Sequence, residues 1–101
     1  FGPLVVELGN AAAAAEEGKA LAIFEKLRAL TPEHLLQKPF LWNTVLKARA
    51  RAGNLKGAED WFREMLSASV EVNAQSFGKL IAAAARAGEV EAAERWLAAV
   101  Q

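Results

Sequence analysis

At 101 residues the chain fits one domain, and its 53% apolar content is enough for a small hydrophobic core. Twelve Lys and Arg balance twelve Asp and Glu, so no global field draws in a polyanion or a basic partner, and any polyanion site has to be local. The absence of Cys excludes a disulfide framework and a thiolate metal site. No apolar run approaches the roughly 20 residues that a membrane span needs. Alanine alone makes up nearly a quarter of the chain. With Leu, Glu, Lys and Arg it gives the composition of good helix formers, so an all-α fold is expected.

In chain order, Phe1-Gly2-Pro3-Leu4 opens without an initiator Met or a basic leader, and Ala98-Ala99-Val100-Gln101 stops inside an unfinished helical pattern, so both ends read as cut from something longer. A first, degenerate unit spans about residues 1–38, where Phe24-Glu25-Lys26-Leu27 aligns with Phe62-Arg63-Glu64-Met65 at an offset of 38. Leu4 then matches Trp42, Leu8 matches Leu46 and Ala20 matches Ala58. The three extra residues fall in the connector 30–39, where Thr31 and Pro32 can start a short extra turn.

The strongest internal signal is an offset of 35 between a second unit, 39–73, and a third, 74–101. It pairs Trp42 with Phe77, Arg51 with Arg86, Gly53 with Gly88, Glu59 with Glu94 and Trp61 with Trp96. Each unit shows helical spacing in two halves, for example Trp42, Val45, Leu46 and then Leu55, Ala58, Trp61, Phe62, Met65. Gly53 and Gly88 stand where the first helix of a pair must close in a left-handed conformation, and Asn54 is placed to cap the second. Ala48, Ala50 and Ala52 against Ala83, Ala85 and Ala87 offer a small-residue stripe for close helix approach, with the tryptophans filling wider gaps. The expected architecture is a right-handed α-solenoid of about six helices in helix-turn-helix repeats, forming one domain over 1–101. About three stacked units are the minimum for such a fold.

Trp42-Asn43-Thr44-Val45-Leu46, Ala52-Gly53 and Ala58-Glu59-Asp60-Trp61-Phe62-Arg63-Glu64-Met65 together resemble the opening, centre and second helix of the pentatricopeptide repeat (PPR) family. Val70-Glu71-Val72-Asn73 is similar to its closing segment, with Val72 in place of the usual Pro. The resemblance implies a module that binds single-stranded RNA in a chloroplast or mitochondrion, one base per repeat. Carried over residue by residue, it implies base reading by Asn43 and Asn73, with a pyrimidine preference, an apolar face from Phe40 against the base, and phosphate contacts from Arg51 and Arg86. Val5 and Gly78 stand at the reading position of the other two units, Gln75 replaces the apolar residue of the third and Ala13 the basic residue of the first. Only the central unit carries a complete set.

Other readings of these residues stay open. Asn73 is also placed to cap the helix starting at Ala74. Asn43 can satisfy backbone groups in a first turn, Phe40 can be core, and the two arginines suit helix C-termini.

Catalytic signals are weak. His34 is the only histidine and lies in the connector, and Gly18-Lys19 lacks the Ser or Thr and the earlier Gly of a phosphate loop. The chain is therefore expected to be no enzyme, without cofactor, metal or small-molecule substrate. Two function classes remain: single-stranded RNA binding, and a protein-docking scaffold or accessory subunit in a larger organellar complex.

Overall fold

In a computed structural model that describes residues 2–100, the chain is all-α. Its helices are α1 (Gly2–Ala13), α2 (Glu17–Leu30), α3 (Glu33–Leu36), α4 (Phe40–Arg51), α5 (Leu55–Ser67), α6 (Ala74–Arg86) and α7 (Val90–Val100). That is seven helices rather than six among the described residues. The additional one, α3, is a single turn in the connector, raised on Pro32 as its N-cap. It accounts for the lengthened spacing between the first two units.

The helices form three antiparallel pairs, α1–α2, α4–α5 and α6–α7, stacked as a helical-repeat solenoid. Each first helix, α1, α4 or α6, packs on the next first helix. Each second helix packs on its own partner and, in α2 and α5, on the first helix that follows. The first helices therefore form one continuous layer and the second helices another, more widely spaced.

The turn inside each pair has the same geometry. Gly53 and Gly88 both have φ +74°, and the residue after each donates its N–H back to a carbonyl five positions earlier, Asn54 to Arg49 and Glu89 to Ala84. The first pair repeats this with Glu16 donating to the Ala11 carbonyl, but the left-handed position is held by Ala15 at φ +60°. Only a residue without a Cβ adopts that conformation without steric cost. The first unit thus lacks the glycine that its turn requires.

The core is a single cluster centred on aromatic rings. Phe24, Trp42 and Trp61 meet at the first junction, with centroid separations of 4.8, 5.1 and 5.1 Å. Phe62, Phe77 and Trp96 meet at the second, at 5.2, 5.3 and 6.4 Å. These are the same three positions one repeat apart. The indole N–H groups are all bonded: Trp42 to the Leu36 carbonyl, Trp61 to the Trp42 carbonyl and Trp96 to the Glu59 carboxylate.

The alanine stripe differs from expectation. Ala48, Ala50, Ala83 and Ala84 are buried, whereas Ala52, Ala85 and Ala87 are exposed. Residues two apart are about 200° apart around a helix, so Ala48 and Ala50 are both buried because α4 is covered on two sides, by α1 and by α6. Of the alanines in α6, only the adjacent Ala83 and Ala84 are buried.

Two outcomes follow. Ala15→Gly should raise the thermal midpoint, since relief of about 1 kcal/mol corresponds to about 4–8 °C in a domain of this size. A thermal melt followed by circular dichroism reads this, and an unchanged or lower midpoint would contradict the assigned strain. Trp61→Ala, in contrast, should cost about 3–5 kcal/mol in chemical denaturation, as it opens the first aromatic junction.

Candidate nucleic-acid interface

Asn43 lies in the first turn of α4 and is 4% exposed. Its side chain bridges two repeats: Ser76 Oγ donates to Asn43 Oδ1 at 2.7 Å, and Asn43 Nδ2 donates to Asn73 Oδ1 at 3.3 Å. Asn73 caps α6 in a reciprocal capping box with Ser76, as one of its two sequence readings holds. Ser76 is fully buried, and with only one hydroxyl proton it takes the shorter bond, to Asn43. The two asparagines are thus brought together over a separation of 30 residues, in a network that also ties α4 to α6.

This network uses the carbonyl oxygens and leaves amide hydrogens: one on Asn43 Nδ2 and both on Asn73 Nδ2. Asn43 borders a cleft of about 260 Å³ opening between α1, α4 and α6, which Val5, Phe40, Thr44 and Gln75 also line. Phe40 is 63% exposed. It is therefore not a core residue, and its ring stands at the mouth of the cleft that Asn43 borders.

Arg51 Nε donates to the Ala13 carbonyl at 3.0 Å, which satisfies an otherwise open acceptor at the C-terminus of α1. Its terminal nitrogens remain at the surface. The corresponding Arg86 is exposed and makes no ion pair among the described residues. Both line a second cleft, of about 300 Å³, further along α4 and α6.

Two features lie outside the sequence expectations. Lys47 and Lys79 line both clefts. Burial, followed by the neighbouring charge of Lys47, holds the Lys79 ammonium below its ordinary pKa. The first-helix layer as a whole carries five cations, Lys47, Arg49, Arg51, Lys79 and Arg86, against one anion, Glu7. Arg49 turns away from this face. It bonds Glu17 at 3.2 Å and lies over the Trp61 ring, with Asn54 Nδ2 on the same carboxylate at 2.7 Å. Four cations are left along the clefts. The balanced total charge therefore conceals a segregated one.

Residues 40–70 match the family model of the PPR repeat. The chain carries a pentatricopeptide repeat. The matched segment covers α4, the turn at Gly53 and α5, so the PPR repeat contains Phe40, Asn43, Lys47 and Arg51, while Asn73 lies just beyond it. No curated protein matches the chain significantly. Among the described residues there is no cluster of side chains fit to hold a metal ion, and no helix is long and apolar enough to cross a membrane. His34 is exposed in α3.

The buried bridge gives a direct test of its structural share. Ser76→Ala removes the donor to Asn43 Oδ1 and should destabilise the fold by about 1–3 kcal/mol, read from urea denaturation, because a nearly buried acceptor is left unpaired. A loss below about 0.5 kcal/mol would mean that the bridge does not hold α4 to α6.

Proposed function

We propose that this PPR chain is a non-enzymatic module that binds single-stranded RNA across the exposed face of its first-helix layer, within an organelle. The observation that carries the reading is the charge segregation: Lys47, Arg51, Lys79 and Arg86 line the two clefts without a carboxylate among the lining residues. Such a face attracts a phosphate backbone although the whole chain is neutral. Phe40 offers a ring for base stacking, and Asn43 and Asn73 offer the remaining amide donors to an acceptor on a base edge. Donors of this kind suit the carbonyl oxygens of a pyrimidine. Arg51 and Arg86 take phosphates further along the groove. With one complete reading position, binding is weak and only slightly sequence-selective, since one good base contact discriminates by about 1–3 kcal/mol.

A second reading, a scaffold that docks a helical protein, is favoured by one observation. Ile81, Ala93, Leu97 and Val100 correspond to Leu46, Ala58, Phe62 and Met65, which are buried. In the third pair Leu97 is 54% and Val100 45% exposed, while Ile81 and Ala93 are half-buried. A partner presenting a helix pair of the same kind would fit against these two exposed side chains.

Titration with oligouridylate at two salt concentrations decides for the first reading. Affinity should fall as salt rises, and Phe40→Ala should weaken binding by about 1–3 kcal/mol without loss of helicity. Absence of salt-dependent affinity, or an unaltered affinity in Phe40→Ala, would overturn it.

A further inference from the structure

We propose that Lys47 and Lys79, contributed by successive repeats, form a two-ammonium seat for one backbone phosphate, placed between the base cleft and the arginine cleft. The inference rests on the RNA reading for the identity of the strand, but not for the seat itself. Lys47 follows Asn43 by one helical turn and so shares its face of α4. Lys79 rises from α6 opposite, next to Gly78, whose missing side chain leaves open space at the position that corresponds to Asn43. The two lysines are the residues common to both clefts, so an anion between them would lie beside a base at Phe40 and Asn43 and also beside Arg51 and Arg86.

The electrostatics support the same assignment. Both lysines are half-buried, and neither is ion-paired among the described residues, although several other lysines and arginines are. Two like charges held at one site, one of them already depressed by burial and by the other, are relieved by an anion that neutralises both. The geometry also explains why Arg51 can bind a helix carbonyl without emptying the groove of charge. The lysine pair supplies the phosphate contact nearest the base. Neither lysine has a basic counterpart at the repeat offset: Lys47 aligns with Ala82, and Lys79 with Thr44. The seat therefore arises from the packing of two repeats rather than from either one.

The test uses the chain with inorganic tripolyphosphate and, separately, with oligouridylate. In tripolyphosphate titrations followed by carbon NMR of the lysine side chains, Lys47 and Lys79 should shift together and ahead of the exposed Lys19, Lys26 and Lys56. Equal shifts at all lysines would overturn the seat. With oligouridylate, the Lys47→Gln/Lys79→Gln variant should lose about 0.7 from the slope of log affinity against log salt, the share of the one phosphate that the pair seats, and Lys47→Arg/Lys79→Arg should restore it. An unaltered slope in the glutamine variant, with helicity retained and RNA still bound by the parent chain, would overturn the seat and leave the RNA reading intact. Selective tripolyphosphate shifts with no affinity for RNA would do the reverse.

Discussion

Three rings meet where the first repeat joins the second, Phe24 from α2, Trp42 from α4 and Trp61 from α5, and the same three positions meet again as Phe62, Phe77 and Trp96. Each set takes one ring from a second helix and two from the pair that follows. The rings are large and tilted or edge-on to one another, so they fill the junction in one register only. Hydrogen bonds from the indoles to fixed acceptors add direction to that packing. A helix pair cannot bury its apolar face alone, and these junctions are where the neighbour covers it.

The order of the first-helix layer follows from this register. Because the aromatic junctions lie on the second-helix side of the stack, the first helices are left to pack through small residues such as Ala48, Ala50 and Ala83, and α4 comes close to both α1 and α6. Polar bridges then form across the junctions, Asn43 with Asn73 and Ser76 on one side, and Glu17 with Arg49 and Asn54 on the other. The face left exposed is cationic, whereas the second helices α2, α5 and α7 are nearly balanced and the turns and α3 carry Glu16, Glu33, Glu71 and Glu89 against Lys38. Neutral composition and a charged groove coexist because the carboxylates are concentrated outside the first helices.

How far this was legible in the sequence depended on distance along the chain. Local conformation was readable: the left-handed turns at Gly53 and Gly88, the Asn54 cap and the short turn after Pro32 all follow from a few consecutive residues. The 35-residue offset extended that reading to the packing, since paired tryptophans at one period require equivalent surroundings. Features that break the period were not readable. Lys79 has no basic counterpart at the offset, Ala15 stands at a left-handed position without the glycine that would mark it, and Ser76 reaches Asn43 across 33 residues. The overall charge balance pointed away from a polyanion for the same reason, because summing over a sequence removes the distinction between two faces. Phe40 and Asn43, which a base contact requires together, are on one cleft, but the oxygen of Asn43 is held by the fold itself.

Recognition is assigned to the first-helix face. Chemical-shift mapping of the backbone amides and side chains during addition of oligouridylate tests this most directly. The changes should concentrate at the α4 and α6 residues that border the two clefts, Phe40, Thr44, Lys47, Gln75 and Lys79, and leave α2, α5 and α7 unaffected. Changes centred on Val90 and Leu97 of α7, or spread evenly over the second helices, would contradict it.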